Sequence, residues 1–587
     1  MKYGLIEHVA HGNKLESAEK MLNSGNNRQH HKTEQPDFRR LSLYQIWIRS
    51  FCDGNGDGIG DLYGVYDKLE YIHSLGVDGI WFSPIYPSPN ADYGYDISDY
   101  KNIHPDYGTL EQFKKVLDRA HELGMIVLMD LVINHTSDEH PWFIESCRDP
   151  QGPYGDYYIW RDPKHTKKGK NPPNNWFSQF EGLAWEYNEQ RQQYYLHLFA
   201  KKQPDLNMDN PRVREEVKSI MRFWLDMGVD GFREDVITYI SKHEDLPDGL
   251  SFLPAINGLP YYKDGPNLMK YLREFREVAQ EYGAIQIGEA PFTPVKTALQ
   301  YISGKDRVLD LMIQFDTMMA DCILTEYVHH RFWLTKYKRA CRKWQTRLSG
   351  KAWNALYLEN HDHPRIINRY GSLKYWKESG KMLAACYLFQ QGTPFIYQGQ
   401  EIGMTNIRLR TIEEYLDVAS INFYHSFHQR DSHEKRMRRV HLSSRDSART
   451  PVQWTGGKHA GFSTAEPWFS LNPNYRKINV EAEEKDPESI LNFYRACLKL
   501  RKENDVLLWG GYREYMPRHR HIYMYEREYQ GKRILIVCGF KRRIQKYTLP
   551  KEWQGENMQL LLDNYPGDAL PGALRPYEVQ VWACQAR

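Results

Sequence analysis

The chain lacks most of what non-enzymatic classes of protein require. Its eight cysteines, Cys52, Cys147, Cys322, Cys341, Cys386, Cys497, Cys538 and Cys584, are scattered and contain no Cys-x-x-Cys pair. That pattern suits reduced thiols in a cytoplasm better than a disulfide framework or a zinc site. No run approaches the roughly 18 apolar residues of a membrane span. Residues 1–40 are polar and rich in His and Asn, without the apolar core of a signal peptide. They read as an N-terminal extension, with a short helical pattern over Leu15 to Leu22. Net charge is only +3, so no excess of one sign is available to hold nucleic acid. Repeats and low-complexity tracts are absent. These absences point to a cytoplasmic chain without nucleic-acid or membrane partners, and they favour neither a monomer nor a homo-oligomer.

What is abundant is aromatic surface: 14% of residues, with 41 Tyr and 16 Trp. Aromatic faces stack on sugar rings, and they also fill large cores. A chain of 587 residues implies two or three domains. From Leu43 short apolar runs alternate with helical patterns. The runs are Leu43–Ile48, Gly79–Pro84, Met125–Asp130, Asp230–Asp235, Ala284–Glu289, Leu311–Phe315, Asn354–Leu358 and Pro394–Tyr397. Eight strand–helix units predict an α/β fold, a closed (β/α)8 barrel over 41–134 and 207–503. Before the fourth run, Val213, Val217, Ile220, Met221 and Trp224 recur at helical spacing, with Asn210-Pro211 as cap and first turn and Gly228 as stop.

The third strand is followed by roughly 70 residues rich in Gly, Pro, Asn, Trp and Tyr, far beyond the usual 2–6 of such a connection. This stretch, 135–206, reads as a small inserted domain, its basic run Lys164 to Lys170 as a solvated loop. After about Asn504 the β-rich runs Tyr523–Tyr525, Ile534–Val537 and Val579–Val581 predict a C-terminal antiparallel β-sandwich over 504–587. The charged stretch His433 to Arg439 reads as an exposed helix or loop face.

The C-terminal ends of these strands carry the chemistry. The third offers Asp130 and then Asn134-His135, the fourth Arg233 and Asp235, the fifth Glu289, the seventh His361-Asp362. In a parallel barrel that end holds the active site, so carboxylates from three strands meet at one mouth. Glycoside hydrolysis needs such a set: one carboxylate attacks the anomeric carbon and a protonated one serves the leaving oxygen. An arginine beside the nucleophile lowers its pKa, whereas crowding by other carboxylates raises that of the proton donor.

Asp130-Leu-Val-Ile-Asn-His135, Gly231-Phe-Arg-Glu-Asp-Val236, Ile287-Gly-Glu289 and Glu359-Asn-His-Asp362 resemble the motifs of glycoside hydrolase family 13, the α-amylase family, in its oligo-1,6-glucosidase and α-glucosidase branch. The resemblance runs from about Leu41 to the C-terminus. It implies Asp235 as nucleophile, Glu289 as general acid/base and Asp362 as stabiliser of the transition state. It further implies that His135, His361 and Arg233 bind the sugar and orient the acids, and that Asp92, Tyr95 and Arg449 close the end of a glucose pocket, making the enzyme exo-acting. Val236 resembles the residue of members that prefer the α-1,6 linkage. The loop Asp53-Gly-Asn-Gly-Asp-Gly-Ile-Gly-Asp61 has oxygen ligands at alternating positions, which suits calcium. In the related branch it holds a structural Ca2+ through Asp53, Asn55, Asp57, the Ile59 carbonyl and Asp61. No organic cofactor is implied.

Three positions depart from the family pattern. Glu234 stands where an apolar residue is usual, and by strand alternation it points away from Asp235 toward the helix layer, where a buried carboxylate needs a partner. Ala290-Pro291-Phe292 replaces Met-Pro-Gly, and His363 replaces Gln. Both lie around the site for the second sugar. The expected activity is a retaining exo-α-glucosidase on α-1,6-linked oligosaccharides such as isomaltose and panose. Its rivals are an α-glucosidase of other linkage, a trehalose-6-phosphate hydrolase, and a transglucosidase or sucrose isomerase, although the arginine-rich loop of isomerases is not evident after the sixth strand. A non-catalytic relative such as a transporter heavy-chain ectodomain need not keep the acids, and this chain keeps all three.

Overall fold

A computed structural model describes residues 35–585 apart from 167–168, 181, 251, 253–255, 324, 330, 426–430 and 568. The predicted helical pattern at Leu15 to Leu22 lies outside these residues. Each of the eight expected runs forms a strand: β1 (Leu43–Ile46), β2 (Gly79–Phe82), β3 (Ile126–Leu131), β4 (Gly231–Glu234), β5 (Ile285–Glu289), β6 (Leu311–Ile313), β7 (Ala355–Leu356) and β8 (Thr393–Tyr397). All neighbouring pairs are parallel, in the order β6-β5-β4-β3-β2-β1-β8-β7. β6 and β7 lie side by side and complete the ring; the Tyr357 hydroxyl donates to the Gln314 carbonyl at 2.7 Å beside that seam.

The helices that follow are α1 (Leu62–Ser74), α2 (Leu110–Glu122), α3 (Pro211–Met227), α4 (Leu268–Tyr282), α5 (Val295–Ile302), α6 (Leu334–Leu348), α7 (Trp376–Leu388) and α8 (Ile490–Lys502). In α3 the Asn210 side chain accepts from Arg212 N–H, Pro211 takes the first turn, and Gly228 ends the helix in the left-handed conformation at φ 111°. The strand period of two separates two cores. Leu43, Trp81, Leu128, Ile285, Ile287, Leu311, Ile313 and Phe395 fill the barrel interior. Their sequence neighbours Tyr44, Ile80, Phe82, Val127, Met129 and Phe232 pack outward against the helices.

Between β3 and α3 lie a helix, Pro141–Arg148, and a three-stranded antiparallel sheet of Trp160–Arg161, Gln193–Leu196 and Trp185–Asn188. The basic run there is an exposed hairpin of Lys164–Thr166 and Gly169–Asn171, so it is paired backbone, not an irregular loop. The charged stretch from His433 forms a helix, His433–Ser443.

The C-terminal part holds β9 (Gly511–Tyr515), β10 (Ile522–Tyr529), β11 (Lys532–Gly539), β12 (Gln559–Asp563) and β13 (Val579–Gln585), an antiparallel sheet in the order β9-β10-β11-β13-β12. A two-stranded ribbon, Gln545–Lys546 with Ala573–Leu574, forms a smaller second layer over Ile522, Met524, Leu535, Val537 and Trp582. Two buried arginines tie this part to the barrel. Arg527 of β10 donates to the Phe389, Leu507 and Gly510 carbonyls at 2.6, 3.0 and 2.7 Å. Arg501 of α8 donates to the Leu388 and Leu507 carbonyls at 3.4 and 3.2 Å, and to Gly392 O. Burial pulls Arg501 down to about 10 and Arg527 to about 9, yet both stay cationic at neutral pH. Their partners are the unsatisfied carbonyls at helix ends, where a cation is favoured. Arg527→Met strips several buried carbonyls at once and should cost roughly 3 kcal/mol or more, read as a clear fall in melting temperature; an unchanged midpoint would refute that role.

Candidate active site

β3 and β4 are in register with Asp130 directly opposite Arg233. Both side chains point into the barrel, and register alone brings them together. Arg233 Nη1 donates to Asp130 Oδ1 and Oδ2 at 2.8 and 3.0 Å and to Asp235 Oδ1 at 2.7 Å. Its Nη2 lies 2.6 Å from Glu289 Oε1, at the end of β5. One fully buried guanidinium thus holds three carboxylates from three strands, with its plane over the Trp81 ring at 5.1 Å. The Tyr95 hydroxyl and the Trp81 indole N–H steady Asp130 Oδ2 from the other side, at 3.1 and 3.3 Å.

Asp362 stands across the mouth. Its Oδ2 lies 2.9 Å from His361 Nε2, and its Oδ1 accepts from Arg445 and Arg449 at 3.2 Å each. The His361 ring is stacked on Tyr95 with centroids 5.1 Å apart, and its Nδ1 lies 2.7 Å from Gln45 Nε2. Arg445 reaches on to Asp92 Oδ1 at 2.9 Å and Asp417 Oδ1 at 2.8 Å, and lies over Phe180 at 4.7 Å. The other Asp92 oxygen meets Gln203 Nε2 at 3.3 Å, which lies 3.1 Å from His135 Nε2.

Burial sets the direction for Asp235, Asp130, His135 and His361, and neighbours reverse it for Asp362. It lifts Asp235 well above the usual carboxylate range against the pull of Arg233, with Glu289, Asp130 and Asp362 adding to the rise. The arginine expected to keep this acid low is present, but desolvation and three like charges outweigh it. Burial likewise lifts Asp130 to about 6. Asp362, which faces the cavity, is pushed up by burial but is held well below its ordinary value by His361, Arg445 and Arg449. His135 and His361 are driven by burial down to about 4, so both are neutral hydrogen-bonding groups at pH 7.

Asp92, Tyr95, His135, Asp235, Val236, Glu289 and Asp362 line one cavity at the C-terminal ends of the strands. The alpha-amylase catalytic-domain model matches residues 45–510, nearly all of this barrel. The chain belongs to the α-amylase family. It is a glycoside hydrolase of that family, and its relatives agree over nearly the full length. It is 45% identical over 556 residues to the oligo-1,6-glucosidase of Parageobacillus thermoglucosidasius, covering 93% of this chain and 98% of that one. The crystal structure of the Bacillus licheniformis trehalose-6-phosphate hydrolase superposes with a TM-score of 0.89 at 38% identity, over 94% of this chain and 100% of that one. The isomaltulose synthase of Klebsiella sp. LX3 gives a TM-score of 0.89 at 38% identity, over 94% and 99%.

Within this α-amylase-family site, two arginines share the place expected for one. Arg449 is fully buried, bonded to Asp362 and to the His361 carbonyl at 3.1 Å, and stands behind the cavity wall. The arginine that contacts Asp92 and lines the cavity is Arg445, one helical turn earlier, at the start of the short helix Asp446–Arg449. Its four-residue spacing from Arg449 was the available signal. Gln203 and Asp417, which complete the network, and the aromatic wall of Phe180, Phe199, Tyr239, Phe315 and Tyr327 carried none. They come from loops far apart in the chain. The departures Pro291, Phe292 and His363 all line the cavity; Phe292 is half exposed, and His363 meets the Phe315 ring edge-on at 5.4 Å. Val236 adopts a left-handed backbone at φ 35°, costly for a β-branched residue, and its N–H donates to Glu289 Oε2 at 3.2 Å.

In the Asx-rich loop the carboxylates of Asp53, Asp57 and Asp61 do not converge on one point. Asp53 accepts from Gly56 and Gly58 N–H at 2.6 and 2.8 Å, and Asp57 from Ile59 N–H at 2.8 Å. Asp61 accepts from Gly54, Asn55 and Gly64 N–H at 3.0, 3.0 and 2.7 Å, the last as the cap of α1. The Asn55 oxygen accepts from Asp57 N–H at 2.9 Å. The donor set, all oxygen, retains the chemistry that Ca2+ takes.

Glu234 faces away from Asp235, into the layer between sheet and helices, and its partner is Gln286, whose Nε2 donates to Oε1 at 2.7 Å. Oε2 has no partner among the described residues. Burial lifts Glu234 to about 7. The folded chain therefore keeps this proton where the unfolded chain has lost it, and stability falls as pH rises from about 4.5 to 7, by on the order of 3 kcal/mol. Glu234→Gln should melt above the parent at pH 8 and converge with it by pH 5; a difference independent of pH would contradict this.

Proposed function

We propose that this glycoside hydrolase is a retaining, exo-acting α-glucosidase that releases glucose from the non-reducing end of short neutral oligosaccharides, with preference for the α-1,6 bond. The observation that carries the proposal is the salt-bridged network of Arg445 with Asp92 and Asp362, flanked by Gln203 and His135, beside the carboxylates. Such a network suits the hydroxyls of one terminal glucose and leaves no room for a chain to run through. Neutral His135, which lines the cavity, is able to donate to or accept from the same hydroxyls, and neutral His361 stands behind it, holding Asp362.

In this reading the Asp235 carboxylate attacks the anomeric carbon while Glu289 gives its proton to the departing glycosidic oxygen, and a covalent glucosyl ester results. Three carboxylates around one guanidinium carry more negative than positive charge, and the proton retained in this cluster is the one transferred. Water then enters, Glu289 takes its proton, and hydroxide cleaves the ester with overall retention. Asp362, held ionised, faces the positive charge that develops on the sugar. Sharing of Arg233 by Asp235 and Glu289 supports the roughly 5–5.5 Å separation of retaining enzymes. For linkage, Val236 bonds the acid/base through its own N–H, so its backbone conformation bears on the direction of proton delivery.

A phosphorylated substrate is the less favoured reading. Among the described residues lining the cavity, Arg445 is the one Lys or Arg, and Asp92, Asp362 and Asp417 already occupy it. The outer wall is aromatic, which suits sugar faces. The deciding experiment is a panel of isomaltose, panose, maltose, sucrose, trehalose and trehalose 6-phosphate, followed by NMR of the first anomer released. Isomaltose and panose should be cleaved fastest, giving α-glucose first, and Asp235→Asn should lose about a thousand-fold or more of kcat. Faster cleavage of trehalose 6-phosphate, or full activity in the variant, would overturn the assignment.

For the Asx-rich loop the proposal is a structural Ca2+ held by Asp53, Asn55, Asp57, the Ile59 carbonyl and Asp61. The ion would take over the oxygens now turned to backbone N–H groups, brace the start of α1, and take no part in the reaction. Melting temperature should rise by several degrees in Ca2+ over a chelator, and Asp57→Ala should abolish the difference; no response in the parent protein would exclude the ion.

A further inference from the structure

The connection after β6 forms a hairpin of Cys322–Ile323 and Thr325–His329, and its register sets Cys322 directly opposite His329. Directly opposed residues of an antiparallel pair share a face, with Cβ atoms about 4.5–5.5 Å apart. Asp321 precedes Cys322 and turns its carboxylate to the same point. Cys322 Sγ lies 3.8 Å from His329 Nδ1 and 3.6 Å from Asp321 Oδ1, and His329 Nδ1 lies 3.4 Å from Asp321 Oδ2. Bond lengths of roughly 2.0–2.3 Å in a tetrahedral zinc site give ligand-to-ligand edges of about 3.3–3.6 Å. These separations, with a different Asp321 oxygen nearest each partner, lie within a few tenths of an ångström of those edges. Among the described residues this is the one group of three or more His, Cys, Asp and Glu whose ligand atoms converge so closely.

We propose that Asp321, Cys322 and His329 form a binding site for one zinc-like divalent cation, with a fourth position open to water on the solvent side of His329.

Two further features fit a metal-binding role. The second ring nitrogen of His329, Nε2, lies 2.8 Å from Ser443 Oγ, the kind of outer hydrogen bond that fixes the tautomer of a ligating imidazole. Arg369, from the short helix Ile366–Arg369, contacts Asp321 Oδ1 and comes within 3.6 Å of Cys322 Sγ while donating to the Met318 carbonyl at 2.7 Å. The guanidinium lends counter-charge to the sulfur and carboxylate ligands of a loaded site. Binding releases the thiol proton to solvent and closes the sulfur–metal bond. The mixture of soft sulfur, imidazole and carboxylate selects zinc or a related ion over Ca2+ or Mg2+. Between the two ligand-bearing ends of the hairpin lies Tyr327, which lines the catalytic cavity, is stacked on Phe423 at 4.4 Å, and has its hydroxyl 3.5 Å from Asp417. A bound cation would therefore pin the strand that presents Tyr327 to the mouth.

The test uses the full chain, treated with chelator and then titrated with Co2+ in excess Ca2+. One equivalent of Co2+ should produce a thiolate-to-cobalt charge-transfer band and the intense visible bands of a tetrahedral site, both displaced by an equivalent of Zn2+. Cys322→Ser should remove the charge-transfer band, and His329→Gln should weaken Zn2+ binding tenfold or more. Retained glucose release in both variants reports that they are folded. No charge-transfer band in the parent protein, the same band in Cys322→Ser, or unchanged Zn2+ affinity in His329→Gln would each overturn the site.

Discussion

The Arg233 guanidinium is the interaction on which the rest of the site depends. It is fully buried among Asp130, Asp235 and Glu289, so it locks the ends of three adjacent strands to one another. Charges removed from water in this way are costly, and the cost is met only if every partner stays in place. Asp130 has two further donors, Trp81 and Tyr95, and Tyr95 in turn stacks on His361 beside Asp362. Asp130, Asp235, Glu289 and Asp362 therefore belong to one electrostatic unit. Burial, reinforced by the surplus of negative charge, lifts Asp235, while His361, Arg445 and Arg449 hold Asp362 low against burial.

That unit sits on a rigid base and is walled by irregular chain. The β-strands bring the acids to within bonding distance of one guanidinium, whereas the walls come from the inserted segment, the hairpin after β6 and the long connection after β8 that carries Arg445. Loops on a stiff scaffold tune which sugar is accepted without altering the chemistry beneath. The same division of labour holds at the far side. Arg527 spends its charge on helix-end carbonyls, joining the C-terminal sheet to the barrel well away from the cavity, and Arg501 holds the helix Asp505–Trp509 beside it.

Much of this was legible before any coordinates. The short apolar strand runs, the Asn210-Pro211 cap and the Gly228 stop are local patterns, and each forms the element its residues imply. The acids were legible because they end apolar runs, where only function explains an ionisable residue. The outward turn of Glu234 followed from alternation alone; its partner Gln286 did not, since that contact joins two strands by register. Arg445 escaped notice because Arg449, four residues on, carries the family motif, and which of the two reaches Asp92 depends on how a short helix is oriented.

By itself, then, the sequence determined the element types, the barrel and the family, and it singled out three candidate acids, all of which rest on spacing along the chain. Only the tertiary structure decided the sign of each pKa shift, the arginine that meets Asp92, the aromatic wall of the cavity and the meeting of Cys322 with His329. The physical reason is the same in every case. Burial and charge proximity are sums over groups distant in sequence, and strand register and loop packing bring those groups together where no local pattern records them.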